Sequence, residues 1–172
     1  MLTKIDLCSM ALLKLGEKPI QTWDDDSAPA QLARTLFDSV VDTLITMHPW
    51  RFATKKIDLV PDENGEFIIP ANVLRILHCN GQVIGNKILS DANKISIVAL
   101  TRIPVEYFPS YFLSLAATKL AIEFCIPLTS DQTIMRMLIA LYDSEFQTAK
   151  FIDSTTSISK DIDSFSLINA RF

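Results

Sequence analysis

The hydrophobic residues of this chain recur with two different periods, which divide it into helical and β-rich parts. Near both ends, apolar residues return every three or four positions, as they do on the buried face of an α-helix. This spacing predicts four helices, at about 4–15, 28–48, 109–126 and 131–152. Between the second and third helices, residues 51–103 alternate loosely between apolar and polar, which is typical of antiparallel strands.

The first two predicted helices carry recognisable start and stop signals. Thr3 stands three residues before Asp6, the spacing at which the two side chains can form a capping box. Gly16 follows the first helix, and glycine is common just beyond a helical C-terminus. Ser27 as the cap and Pro29 in the first turn indicate the start of the second helix.

Proline and serine bound the last two predicted helices. The third helix begins at Pro109 and Ser110 and is apolar on all sides. Its end is predicted at Pro127, because proline has no backbone N–H to donate to the helical ladder. Ser130 is the predicted cap of the fourth helix.

The β-rich region contains two tight-turn signals. Asn80-Gly81 is the strongest short hairpin signal in the chain, and Gly85-Asn86 predicts a second turn shortly afterwards. We therefore expect one small sheet here. The predicted fold class is α+β, mainly α: a four-helix bundle with a small antiparallel β-sheet inserted between helices two and three, plus an extended C-terminal tail.

Residues 153–172 differ in composition from the single domain predicted for residues 1–152. Residues 154–166 are rich in Ser, Thr and Asp, and so few apolar groups cannot offset the cost of ordering the backbone. The chain then turns apolar again, with an arginine able to pair with a carboxylate. These candidate docking residues are Phe165, Leu167, Ile168, Arg171 and Phe172. The pattern predicts a tail that docks on a partner protein, the alternative being a tail folded back onto its own helices.

Composition and charge narrow the possible functions. The chain has 172 residues, 49% of them hydrophobic, and a net charge of −4, which argues against binding nucleic acid through a basic face. A weakly acidic wall is still compatible with DNA sliding past it. The most apolar stretch, 107–126, contains Lys119 and Glu123, so we interpret it as a core helix and expect no membrane partner.

Candidate catalytic and metal-binding residues are few. Asp24–Asp26 could hold a divalent cation or, with Glu17, supply the carboxylates of a cell-wall hydrolase. Adjacent loop carboxylates, however, are rarely placed on both sides of a substrate. His48, at a helix end, is interpreted as a capping or packing residue. We predict no catalytic residue, metal or cofactor, and keep a cell-wall hydrolase and a small DNA-binding regulator as alternatives.

Several segments, taken in order, resemble one protein family. The most informative are two helix endings, Ala11-Leu-Leu-Lys-Leu-Gly-Glu-Lys-Pro-Ile20 and His48-Pro-Trp-Arg-Phe-Ala53. Segments 30–45, 69–76, 111–128 and 167–171 follow the same family pattern. With these segments the chain resembles the tail tubular protein A family, the head-to-tail adaptors of short-tailed bacteriophages.

The resemblance implies a structural virion protein that forms a ring of about twelve copies below the phage portal protein. Such a ring is a platform for a downstream tail or nozzle protein. It surrounds DNA in a central channel without binding it specifically. The resemblance also implies assembly in the host cytoplasm, a final place at the head-to-tail connector, and the portal as the partner of the C-terminal tail.

Overall fold

The computed structural model describes residues 2–155, which form four α-helices, six β-strands and a short 3-10 helix. The helices are α1 (Lys4–Lys14), α2 (Ala28–Thr46), α3 (Ser110–Thr129) and α4 (Gln132–Thr155), with the 3-10 helix at Val105–Tyr107. The strands are β1 (Thr54–Leu59), β2 (Phe67–Ile68), β3 (Val73–His78), β4 (Gln82–Ile84), β5 (Lys87–Leu89) and β6 (Ile95–Thr101). Every predicted helix is present, with each end within three residues of its predicted position.

Local capping explains why α1 begins and ends where it does. The Thr3 hydroxyl accepts a hydrogen bond from the Asp6 N–H at 3.2 Å, and the Asp6 carboxylate accepts one from the Thr3 N–H at 2.8 Å. The predicted capping box is therefore confirmed. At the other end Gly16 has a φ of +77°, which allows the Glu17 N–H to reach the Leu12 carbonyl at 3.0 Å.

The junction of α3 and α4 differs from the prediction. Helix α3 runs through Pro127 to Thr129, because a proline in the last turn removes only one ladder bond. Ser130 does not cap α4. It closes α3 in a left-handed conformation, with its N–H donating to the Ile126 carbonyl at 3.1 Å. The cap of α4 is Asp131, whose carboxylate accepts from the N–H groups of Thr133 and Ile134.

Helix α3 lies at the centre of the helical part and contacts α1, α2 and α4. Buried side chains occur on all sides of it, which explains its apolar sequence. Within residues 2–155, α3 alone has the length and apolar composition of a membrane span, and half of that stretch is buried inside the protein. This placement is that of a core helix.

The prediction of a four-helix bundle with a single inserted sheet is wrong. The described residues contain two antiparallel three-stranded sheets. The main sheet has the strand order β1-β6-β3, and the small sheet has the order β2-β5-β4. The predicted turn at Gly85-Asn86 does connect two paired strands, β4 and β5. Asn80-Gly81 instead carries the chain from the main sheet to the small one.

Gly81 explains why its sequence signal was misleading. Its φ is not in the left-handed region, so it does not form the expected hairpin turn. A Cβ atom at this position would lie 2.7 Å from the Leu89 carbonyl oxygen and 2.7 Å from the Ile88 side chain. Glycine is needed because the chain passes very close to β5.

Two hydrophobic cores hold the elements together. The larger one joins the helices to one face of the main sheet, through Leu100 with Leu74 and Leu77 packed against it. The main sheet therefore belongs to the same core as the helices and is not a separate insertion. The smaller core lies between the two sheets and includes Phe67 and Ile88 of the small sheet.

Candidate protein-binding surfaces

The five predicted docking residues lie outside the described residues. They are Phe165, Leu167, Ile168, Arg171 and Phe172. The structure does describe the helix from which their segment departs. Helix α4 continues to Thr155, three residues beyond the predicted boundary, so Asp153 is a helical residue.

Asp153 connects the last turn of α4 to the chain segment that enters the main sheet. Its side chain is almost completely buried, and its carboxylate accepts hydrogen bonds from the Arg51 N–H at 3.2 Å and the Tyr111 hydroxyl at 2.6 Å. The His48 Nε2 atom lies 3.7 Å from the same carboxylate. These contacts fix the start of the C-terminal segment relative to α3 and β1.

The environment of Asp153 perturbs two of its neighbours. Burial raises the pKa of Tyr111 far above its ordinary value, and the hydrogen bond to Asp153 adds to this shift. Burial lowers the pKa of His48 below 6.5, although the nearby Asp153 carboxylate opposes that change. The lowered pKa favours the neutral imidazole, which agrees with a packing role. The packing contact is an edge-on approach to Trp50, with ring centroids 4.6 Å apart.

Trp50 is the centre of an aromatic cluster beneath this junction. Its side chain is fully buried, and its Nε1–H donates to the Leu44 carbonyl at 3.0 Å. The rings around it come from α3, α4 and the turn before β1; they are Phe52, Tyr111, Phe112 and Phe146. The contacts with Phe112 and Phe146 are edge-to-face, a geometry that adds to the energy of area burial. The His48-Pro-Trp-Arg-Phe-Ala53 motif is therefore structural: it packs the chain between α2 and β1 against α3 and α4.

The solvent-facing side of α4 carries a stripe of three apolar and three hydroxyl side chains. Its residues follow one another by four and three positions, so they share one face of the helix; they are Met137, Leu141, Ser144, Thr148, Phe151 and Thr155. Met137 and Phe151 are both 68% exposed and Leu141 is 42% exposed. Large apolar groups at this exposure and spacing are typical of a surface that contacts another protein. We call this face the α4 stripe.

The small sheet exposes a second apolar surface. Phe67 and Ile88 point into the core between the sheets, and their strand neighbours therefore point outwards. The outward residues include Ile68, Ile84 and Leu89, all more than 40% exposed. They surround an ion pair between Lys87 and Glu66. We call this face the outer sheet face.

The acidic loop considered for hydrolysis is organised by structural hydrogen bonds. Glu17 and Asp25 line a groove of about 480 Å³, which Asp24 and Asp26 do not line. The Asp25 carboxylate accepts from the Ser27 N–H at 3.1 Å, just before α2. Arg34 donates to the carbonyls of Trp23 and Asp25 and holds the loop on the helix. Within residues 2–155, no cluster of three metal-ligating side chains occurs.

Many of the cationic side chains are neutralised by carboxylates. The ion pairs are Lys4–Asp38, Lys14–Glu145, Lys87–Glu66, Lys94–Asp58, Arg102–Asp42 and Lys119–Glu123. The two partners of each pair are close enough to cancel most of each other's field. This arrangement agrees with the net charge of −4 and does not favour a phosphate-binding face.

Asp153 is the residue that sequence reasoning missed. The prediction assigned it to the polar tail because Ser, Thr and Asp follow it. Its sequence position indicates a buried residue, because it stands four residues after the buried Ala149 and seven after Phe146. These three residues lie on the inner face of α4. An acid on the apolar face of an amphipathic helix requires buried hydrogen-bond donors. Tyr111 and Arg51 supply them.

The described residues expose apolar side chains on α4 and on the small sheet, and such patches are typical of surfaces that contact other proteins. Residues 5–99, more than half of the chain, match the family model of tail tubular proteins. The chain therefore belongs to the tail tubular protein family, and the resemblance seen in its sequence is confirmed. It is a structural protein of the phage tail, and its place is in the virion. No curated protein matches the chain.

Proposed function

We propose that this protein is a head-to-tail adaptor without enzymatic activity. About twelve copies form a ring below the phage portal protein, and the ring is the platform on which the rest of the tail attaches. The match to the tail tubular protein family is the observation that carries this proposal. The protein assembles in the host cytoplasm and remains at the connector of the finished virion.

The portal-binding site in this proposal is the C-terminal segment. Its apolar residues are separated from the domain by a polar stretch, an arrangement that suits capture of a partner; they are Phe165, Leu167, Ile168 and Phe172, with Arg171 available to a carboxylate. Burying such apolar side chains contributes roughly 1.5–3 kcal/mol each before ordering costs are subtracted. The Asp153 contacts support this role, because they give the segment a fixed point of departure.

The outer sheet face is the surface that we assign to the downstream tail or nozzle protein. Ile68, Ile84 and Leu89 are exposed apolar groups on a sheet that packs on only one side. The Lys87–Glu66 ion pair lies at the centre of this face. A partner with complementary charges can pair with it, which sets the orientation of the complex.

DNA passes through the ring without specific binding in this account. The net charge is −4, and carboxylates pair with the cations described above. An overall negative charge does not hold a polyanion, which can therefore slide.

Assembly on the portal is the step that tests this function. We expect the isolated protein to be monomeric or weakly associated, because ordering a segment on a partner makes association depend on that partner. Sedimentation velocity at micromolar concentration should give a monomer alone and a large complex with the cognate portal. A stable ring without portal would contradict portal-triggered assembly, and the absence of any complex with portal would contradict the adaptor function.

A further inference from the structure

A groove between the two sheets is open on one side of the sheet pair. It has a volume of about 520 Å³ and lies between β3 of the main sheet and β4 of the small sheet. Val73 and Ile76 line it from β3, and Val83 lines it from β4. Within residues 2–155, β3 pairs only with β6 and β4 only with β5, so each strand is an edge of its sheet. We call this feature the β3/β4 groove.

The hydrophobic core between the sheets is incomplete at the β3/β4 groove. Phe67, Ile88 and Val83 stand opposite one another on β2, β5 and β4, and opposite residues of antiparallel strands point to the same face. Phe67 and Ile88 are fully buried, whereas Val83, on the same inward face, is 45% exposed. The other side of the sheet pair is closed, because Leu59 on β1 is buried together with Phe67. Val83 can therefore receive an apolar side chain from another molecule.

The β3/β4 groove also contains a cation without a carboxylate partner. Of the described residues that line the groove, only Arg75 is charged, and it is exposed. Its Nη1 atom donates to the Thr46 carbonyl at 2.9 Å, but it forms no ion pair within residues 2–155. A guanidinium has five N–H donors, so the remaining donors can bind a carboxylate. The occupant that fits this groove is an apolar side chain close to an acid.

The loop between β1 and β2 presents this combination of residues. Val60 follows the last residue of β1 and is 71% exposed, more than any other large apolar side chain in residues 2–155. The side chain of Glu63 is exposed and has no hydrogen bond or ion pair among the described residues. The loop is held in shape by Asp62, whose carboxylate accepts from the N–H groups of Asn64 at 2.9 Å and Glu66 at 2.8 Å. A preformed loop loses little conformational entropy on binding.

The β1–β2 loop and the β3/β4 groove lie on opposite sides of the sheet pair. The main sheet has β1 and β3 as its outer strands, and the small sheet has β2 and β4. The buried residues between the sheets separate the two features, so Val60 cannot enter the groove of its own chain. A second copy can bring its loop to this groove. Such a contact joins two different surfaces, and its repetition generates a ring when the rotation closes.

We propose that the β3/β4 groove receives the β1–β2 loop of the neighbouring copy, and that this contact joins adjacent subunits of the ring. Val60 of one copy covers Val83 of the next and completes its core between the sheets, while Glu63 pairs with Arg75. This inference rests on the proposed ring-forming function and names the surfaces through which the copies meet. The contact is small, so it closes the ring only when the portal holds the copies side by side.

Exchanging the two charges tests whether the contact is between copies. Glu63→Arg and Arg75→Glu each place like charges at every junction, so each variant alone should need at least about tenfold more protein to close rings on purified portal. An equal mixture of the two variants should close rings within about threefold of the unmodified protein, because opposite charges meet wherever the variants alternate. Electron microscopy counts the rings, and urea unfolding verifies that each variant is folded. A mixture as impaired as its components would contradict the proposal.

Disulfide cross-linking tests the apolar half of the contact without changing Arg75. On portal, Val60→Cys mixed with Val83→Cys should give cross-linked pairs of copies after mild oxidation. Val60→Cys mixed with Ile84→Cys is the matched control, because Ile84 is 51% exposed but lies on the outer face of the same strand. Cys79 is partly exposed, so each variant alone measures the background reaction. Equal cross-linking at positions 83 and 84 would contradict the proposed contact.

The outcomes separate this inference from the proposed function. If the unmodified protein does not bind portal, the adaptor function itself is wrong. If it forms rings on portal and the single charge variants form them equally well, the adaptor function stands and the assigned contact is wrong. Charge variants that close rings normally but no longer bind the downstream tail protein would assign the β3/β4 groove to that protein and overturn this proposal.

Discussion

The Tyr111 hydroxyl donates a 2.6 Å hydrogen bond to the carboxylate of Asp153, and this bond joins the start of α3 to the last turn of α4. The same carboxylate accepts from the Arg51 N–H just before β1. One buried acid therefore fixes three elements at the point where the C-terminal segment departs. These bonds hold the last turn of α4 against α3 and the turn before β1.

Replacing Asp153 with asparagine should lower the free energy of unfolding by about 1–3 kcal/mol, because an amide cannot reproduce the charge-assisted bonds to Arg51 and Tyr111. Urea unfolding measures the change. Asp143→Asn is the control, since Asp143 lies exposed on the same helix and should leave stability almost unchanged. Equal stability of the two variants would show that the junction contributes nothing.

Stability should depend on the titration of His48. Burial lowers its pKa below 6.5 in the folded protein, so between that lowered value and 6.5 the unfolded chain binds more protons than the native state. His48 therefore contributes stability above pH 6.5 that is lost as the pH falls through the folded pKa. Urea unfolding from pH 7.5 to 5 should show a steeper loss for the unmodified protein than for His48→Gln. Parallel pH curves would contradict this assignment.

Trp50 should be among the most sensitive core positions. Its side chain is fully buried, and Trp50→Ala leaves a cavity within the ring of aromatic neighbours. We expect a loss of about 3–5 kcal/mol in unfolding free energy, measured by urea titration. Trp50→Phe should lose less, because it keeps an aromatic ring and gives up mainly the bond to the Leu44 carbonyl. A milder effect of alanine than of phenylalanine would disprove the packing account.

Gly81→Ala should destabilise the small sheet by about 1–3 kcal/mol, because the added methyl group would lie 2.7 Å from the Leu89 carbonyl oxygen. Hydrogen exchange should show faster exchange in β4 and β5 and little change in the helices. Asn80→Ala, at the exposed neighbouring position, is the matched control. Unchanged protection of β5 in Gly81→Ala would mean that the close approach is not required.

Deleting residues 164–172 should abolish attachment to the portal. The thermal midpoint of the domain should change by no more than about one degree. The predicted docking residues are removed, and α1–α4 and both sheets remain. Calorimetry and portal pull-down measure the two effects separately. A truncated protein that still binds with full affinity, or that loses domain stability, would disprove the docking role of this segment.

Local signals explain why the helices were predictable from sequence. The Thr3–Asp6 capping box and Gly16 act through neighbouring backbone groups, so a short stretch of sequence contains the information. The end of α3 was less predictable. Pro127 is tolerated because it lies in the final turn, and the choice of Ser130 or Asp131 as cap depends on how the chain leaves α3.

Strand pairing was not predictable, because it is decided by tertiary contacts. Asn80-Gly81 has the composition of a hairpin turn, yet β3 pairs with β6 and β4 pairs with β5. The partition follows from burying Phe67 and Ile88 between two sheets, a contact that no local pattern encodes. The same holds for the candidate binding surface on α4. The spacing of the α4 stripe is visible in the sequence, whereas the exposure of its side chains is not.

Electron microscopy of the purified protein mixed with its cognate portal tests the central claim most directly. The account predicts a ring of about twelve copies seated on the portal, with the C-terminal segment at the contact and the small sheet facing away from it. Portal particles without an added ring, at protein concentrations in the micromolar range, would contradict the head-to-tail adaptor function.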